Sequence, residues 1–312
     1  MSKNKSLQTD FKISFFLPKY WLTWLGVIVL WTITWLPFKL QLAIGRVVGR
    51  IMMKIGGTRL TIAKKNIDVC FPELNEQQRH NMLVKNFENT GIALFETGMG
   101  WWWPGWRIKR LTKVTGLEKL KAARADGSGI LLLSMHNLSL EFCGRATGCA
   151  NPVVAFYRPN HNPLMEYFQH KGRARSNKYM VEKTNVKGMI KALRDGETSV
   201  YLPDQDYGRN RSVFVPFFTV PDTASTIGTM LFAKVKNVKT MMLIPSRLPD
   251  DSGYHIEISE VFENFPSGDD EADIARVNQK LEAAIRKQPE QYMWLHRRFK
   301  TRPNKTDPKF YT

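Results

Sequence analysis

Apolar positions change their spacing along the chain. From Tyr20 to Leu36 the run YWLTWLGVIVLWTITWL has no charged residue, near the roughly 17-residue lower limit for a spanning helix. Trp21, Trp24, Trp31 and Trp35 share one face at 3.6 residues per turn, whereas simple spanning helices place Trp at their two ends. The run predicts an N-terminal membrane helix, spanning the bilayer or lying in its interface, with burial as a soluble helix the third reading. A signal peptide fits poorly, since no small-x-small cleavage site follows. Lys3, Lys5, Lys12 and Lys19 precede it and Lys39, Arg46, Arg50, Lys54 and Arg59 follow, a balance that slightly favours a cytoplasmic body.

Residues 41–70 predict a basic amphipathic helix ending at Cys70-Phe71-Pro72. Glu73 to Thr97 predicts a second, with Met82, Phe87, Ile92 and Phe95 as its apolar positions. The following WWWPGW, Trp101 to Trp106, reads equally as an interfacial anchor or a core cluster.

From residue 112 strands alternate with helices. Ile130–Met135, Pro152–Tyr157, Ser199–Leu202 and Met241–Pro245 predict buried strands, with helices at about 161–174, 185–195 and 222–236 between them. Tyr254–Ser259 is expected to pair with Met241–Pro245 as a hairpin, and Asp270–Arg286 is a late helix. Such alternation predicts an α/β fold whose sheet is covered by helices. The chain then divides into a membrane-anchoring segment, 1–38, and a larger domain, 39–312, helical over 39–111 and α/β over 112–312.

Charge narrows the partners. Lys+Arg 46 against Asp+Glu 28 gives +18, which calls for an anionic partner. Cys70, Cys143 and Cys149 lack the CxxC spacing of a zinc site, so no metal is expected.

Four clusters are candidates for chemistry. His136-Asn-Leu-Ser-Leu-Glu141 follows the Gly129–Met135 strand, at the strand end where open α/β sheets bind ligands. Glu141 falls in the first turn of the next helix and is expected to fold back onto the imidazole, fixing its tautomer. His136 would then deprotonate a substrate hydroxyl directly. Around Gly172, the residues Lys171, Arg173, Arg175, Lys178, Lys183, Lys187 and Lys191 face one acid, Glu182. That cluster is a solvated helix face or an anion clamp. In Tyr201-Leu-Pro-Asp204-Gln-Asp206, Asp204 is expected to position an arginine. The basic, aromatic stretch Tyr292 to Arg302 suggests nucleic acid first. It lacks a nucleic-acid module, and the apolar N-terminus favours lipid phosphates.

Taken together the residues resemble the late acyltransferases of lipid A biosynthesis, the lauroyl-, palmitoleoyl- and myristoyl-transferases of Gram-negative bacteria. The resemblance runs along almost the whole chain through PKYWLTWLGVIVLW, CFPEL, KNFENTGIALFETGMGWWWP, the H-x4-E block, YRPNHNPLMEYFQHKGRARSNK, LPDQDYG, FVPFF and PEQYMWLHRRFKTRP. It implies the glycerolipid-acyltransferase type of α/β fold, a mixed sheet covered by helices. It also implies an acyl carrier protein thioester as donor and a 3-hydroxyl of Kdo-bearing lipid IVA as acceptor, with no cofactor. By the same resemblance His136 is the general base and Glu141 its orienter, and Arg173 and Asp204 complete the polar site. Arg175 and Lys178 are further substrate-binding candidates from the basic cluster. Lauroyl is the expected chain; a palmitoleoyl sister enzyme, a glycerophospholipid acyltransferase and a non-catalytic lipid-binding protein are the alternatives. The expected place is the inner membrane, held by one N-terminal helix and by anionic lipids, with the catalytic domain on the cytoplasmic face and no nucleic-acid partner.

Overall fold

In the computed structural model, which describes residues 10–311, the charge-free run forms α1 (Trp21–Thr34), a helix of 14 residues. Its length of roughly 21 Å at 1.5 Å per residue falls short of a hydrocarbon core of about 30 Å. Among the described residues no helix is long and apolar enough to cross a membrane, so the expected spanning helix is corrected. The chain turns before Pro37, and the body holds α1's last carbonyls. Gln41 Nε2 donates to Thr34 O at 2.9 Å and to Leu36 O at 2.8 Å, and the Trp103 indole donates to Thr34 O at 2.7 Å. The tryptophans share no single environment: Trp21 and Trp31 are exposed, while Trp24 packs edge-on against Phe168. Lys3 and Lys5 lie outside the described residues.

The helix expected over 41–70 is two, α2 (Phe38–Ile55) and α3 (Gly57–Cys70), broken where Gly57 takes φ +46°. Asn75 and Gln78 form a capping box that starts α4 (Glu76–Trp102). α2 and α4 cross with their backbones in contact. A Cβ on Gly91 would stand 2.1 Å from Gly45 O, so any side chain there would force the helices apart. Trp101 and Trp103 are buried and Trp106 is exposed, which makes the tryptophan run mostly core. α5 (Gly105–Arg110) closes this helical part.

The remaining chain runs β1 (Thr112–Thr115), α6 (Leu117–Ala123), β2 (Gly129–Leu133), α7 (Leu140–Ala150), β3 (Val154–Tyr157), α8 (Pro163–Ala174), β4 (Tyr179–Glu182), α9 (Val186–Arg194) and β5 (Thr198–Tyr201). It ends with β6 (Ser212–Phe217), β7 (Val220–Thr226), α10 (Gly228–Ala233), β8 (Val238–Arg247), β9 (Tyr254–Val261) and α11 (Asp270–Lys287). Seven strands form one sheet in the order β1-β9-β8-β2-β5-β3-β4. All pairs are parallel except the β8–β9 hairpin, so the expected mixed α/β sheet is observed. β2 lies centrally and every residue in it is buried. Leu131 and Leu133 enter the core under α3, α9 and α11, and Ile130 and Leu132 enter the core under α4, α6 and α7. This alternation explains the continuous apolar run of a strand covered on both faces. The expected helix over 222–236 is mostly absent, because β-branched residues of Val220–Thr226 pair with β6 in a separate two-stranded ribbon.

Candidate active site

β2 and β5 are parallel neighbours in which Leu133 is opposite Tyr201. His136 and Asp204 each follow that pair by three residues, so the register delivers both to the same end of the sheet. His136 Nδ1 lies 2.6 Å from Asp204 Oδ1, and the His136 backbone N–H donates to Oδ2 at 2.7 Å. Asp204 is 1% exposed. Burial alone would raise its carboxyl, but the charge and hydrogen bonds of His136 outweigh burial and hold it below the usual range. An ionised carboxylate only accepts, so Nδ1 carries a proton towards it, which in the neutral imidazole leaves the lone pair on Nε2.

The C-terminal stretch braces this arm. Met293 N–H donates to His136 O at 3.0 Å and Leu138 N–H to Gln291 O at 2.8 Å, and Asn137 bridges Tyr292. Trp294, Arg298 and Phe299 behind it are buried, with Arg298 stacked over Phe217 and its Nη2 donating to Ser225 Oγ at 3.0 Å. The aromatic residues and Arg298 of this stretch are therefore structural, while Arg297 and Lys300 stay exposed.

Glu141 does not reach the imidazole as expected. It lies in the first turn of α7, and its carboxylate faces α8 and α4. It accepts Arg173 Nε and the Trp101 indole, both at 3.1 Å, and also Arg173 Nη2. Burial would raise the Glu141 carboxyl, but Arg173 and Trp101 hold it below the usual range. A Cβ at residue 172 would stand 2.6 Å from the Trp101 ring, which explains the glycine before Arg173. Asp204 likewise orients His136 and not an arginine. Asp206 anchors Thr301 through its backbone N–H at 2.7 Å and its hydroxyl at 2.8 Å. Among the described residues no cluster of His, Cys, Asp and Glu is arranged to hold a metal ion.

His136, Glu141 and Arg173 line a cavity of ≈ 530 Å³, walled on its apolar side by Phe156, Val200 and Leu243. A histidine with a free Nε2, oriented by a buried carboxylate above an apolar cavity, suits transfer of an acyl chain to a hydroxyl.

Residues 8–301 match the family described as bacterial lipid A biosynthesis acyltransferase. The chain is 45% identical to a lipid A biosynthesis lauroyltransferase of Escherichia coli (strain K12), over 92% of this chain and 94% of that protein. It is 44% identical to a lipid A biosynthesis acyltransferase of Haemophilus influenzae over 99% of each. It is also 40% identical to a lipid A biosynthesis palmitoleoyltransferase of Escherichia coli (strain K12), over 95% of this chain and 96% of that protein. The chain belongs to the lipid A biosynthesis acyltransferase family.

The other expected site residues of this acyltransferase disperse. Arg175 Nη1 donates to Trp101 O at 2.7 Å, at the edge of a neighbouring pocket. Lys178 leaves the site to pair with Glu197 at 2.6 Å, and Lys191 pairs with Asp195. The basic cluster spans α8, β4 and α9, with Arg173 and Lys183 on the active cavity and Arg175 on its neighbour. His296, which the sequence placed only within the basic, aromatic stretch, lines the cavity. Burial, with the charge of His136 second, pushes its pKa down to about 4 and keeps it neutral.

Proposed function

We propose that this acyltransferase moves a lauroyl chain from an acyl carrier protein thioester to a 3-hydroxyl of Kdo-bearing lipid IVA. The observation that carries this reading is the His136–Asp204 pair at the head of an apolar cavity, in a chain 45% identical to a protein named as a lauroyltransferase. His136 Nε2 takes the hydroxyl proton as the oxygen attacks the thioester carbon. The C–O bond forms, the C–S bond breaks, and the proton passes from Nε2 to the leaving thiolate. Asp204 stabilises the imidazolium while it exists. The thioester is already activated, so the reaction needs no cofactor.

The protein is proposed to work at the inner membrane from the cytoplasmic side, lying on anionic lipids and not crossing them. α1 exposes Trp21, Leu22, Leu25, Ile28 and Trp31, and α2 exposes Val47, Ile51 and Ile55. Lys39, Arg50 and Lys54 are exposed beside them on α2. These exposed apolar and basic side chains support reading α1 and α2 as an interfacial helix pair.

Purified protein, carrier thioesters of several chain lengths and lipid IVA with Kdo test the reaction, with products read by mass spectrometry. Lauroyl transfer is expected to dominate. Dominant palmitoleoyl transfer would replace the chain assignment, and acylation of lysophospholipids alone would refute the acceptor.

A further inference from the structure

We propose that Arg145, Arg175 and Ser176 form a phosphate-binding subsite at the outer mouth of the active cavity. The subsite itself stands on geometry; only the origin of the phosphate, in a substrate of the reaction above, rests on that reading. Arg145 lies on α7 four residues after Glu141, hence on the same face and roughly 6 Å further along the axis. It is 8% exposed. Its Nε is buried with no hydrogen-bond partner among the described residues, and so is Ser176 Oγ. Both residues line the active cavity and also a second pocket of ≈ 420 Å³ beside it. Arg175 and Lys109 line that pocket and no acidic side chain does.

Arg145 shares with Arg298 a buried Nε without a partner, but the other two guanidinium nitrogens of Arg298 donate to Ala224 O and Ser225 Oγ, and Arg173 is met by Glu141. A buried cation without a counter-charge is costly unless a ligand supplies one. Two guanidinium groups and a hydroxyl around one opening match the oxygens of a phosphate. The subsite joins the two cavities, so a phosphate held there would align the rest of its molecule with His136. That phosphate belongs either to the acceptor lipid or to the phosphodiester of the carrier protein's prosthetic arm.

Arg145→Gln tests the subsite by two readouts. In kinetics with phosphorylated and enzymatically dephosphorylated acceptor, Arg145→Gln is expected to raise the acceptor KM about tenfold or more, with kcat changed less than about threefold. Dephosphorylated acceptor should show a similar loss with the unmodified enzyme and little further loss with the variant. A tenfold rise in the donor KM instead also supports the subsite and assigns it to the carrier's phosphodiester. Unchanged KM for both substrates, or a rise in the acceptor KM that is fully multiplicative with dephosphorylation, would overturn the proposal.

The second readout is melting with inorganic phosphate as the probe. Phosphate is expected to raise the midpoint of the unmodified protein and leave Arg145→Gln unmoved. Without phosphate, the variant should melt no lower than its parent, because an unpaired buried cation has been removed. No response of the unmodified protein to phosphate would overturn the subsite even if the acceptor assignment holds. If the unmodified protein acylated no lipid IVA while still responding to phosphate through Arg145, the reaction assignment would fail and the subsite would stand. Should Arg145→Gln not fold, Ser176→Ala is the milder variant, expected to raise the same KM by roughly threefold and refuting the proposal if silent.

Discussion

Asp204→Asn distinguishes the two carboxylates of this site. The substitution keeps the size of the side chain and removes the charge that faces the imidazole at 2.6 Å. As His136 becomes an imidazolium in the transition state, its charge centre sits about 4 Å from the carboxylate. At an effective dielectric constant near 20 that attraction is roughly 4 kcal/mol, or about a 10³-fold effect on rate. The asparagine amide also turns a donor towards Nδ1, favouring the tautomer that lacks a free Nε2 lone pair. The expected loss in kcat is therefore on the order of 10²–10⁴, with KM nearly unchanged. Single-turnover transfer from labelled carrier thioester measures it, with a melting curve to confirm that the variant is folded. His136→Ala combined with Asp204→Asn should be little worse than His136→Ala alone, since the two act as one unit. A variant within threefold of its parent would refute the reasoning, as would full additivity with His136→Ala alongside non-additivity of Glu141→Gln with His136→Ala.

Glu141→Gln and Arg173→Lys should each slow transfer, and the double variant should lose little more than the worse single one, because each breaks the same ion pair; a double-mutant cycle on kcat/KM checks this. Replacing Leu22, Leu25 and Ile28 together by Glu should cut co-sedimentation with anionic phospholipid vesicles at least tenfold without lowering the melting temperature, since all three side chains are exposed. In acid the stability gap between the parent and Asp204→Asn should close. The folded-state pKa of Asp204 is depressed, so its contribution is full above the unfolded value of about 3.9 and is lost as pH falls through the folded value. Urea midpoints at several pH values would show it, and a gap that widens in acid would contradict it. Val200→Phe should shift the product towards shorter acyl chains by filling part of the cavity wall, as product mass spectra would reveal.

The central strand and its histidine were legible because a two-sided buried strand leaves an uninterrupted apolar run, and its end is where polar groups reappear. The partner of His136 was misread for a related reason. Nearness in sequence favoured Glu141, whereas helix α7 carries that side chain towards α8. Parallel pairing brings in a residue 68 positions away. A signal was present: His136 and Asp204 stand at equal offsets from strand ends that are adjacent in the sheet. Reading it required the strand order, which sequence periodicity does not supply. β4 was hidden in the basic cluster because Lys178 and Lys183 flank it and Glu182 ends it, so its apolar positions do not stand out from the charged run. Membrane spanning was inferred from apolar length alone, and the turn at Leu36-Pro37, fastened by Gln41 and Trp103, cut the helix short.

The brace from the C-terminal stretch has a consequence for the timing of synthesis. Domains generally fold from the N-terminus as translation proceeds, at roughly 5–20 residues per second. The strands that deliver His136 and Asp204 leave the ribosome well before Gln291, Tyr292 and Met293, which hold the backbone at and just after the histidine. A growing chain thus contains His136 and Asp204 long before it contains the clamp that fixes the histidine. Unfinished or prematurely terminated copies would carry the histidine on a loose arm. On the proposed reading such copies would be poor at discharging carrier thioesters to water until the C-terminal stretch has been made.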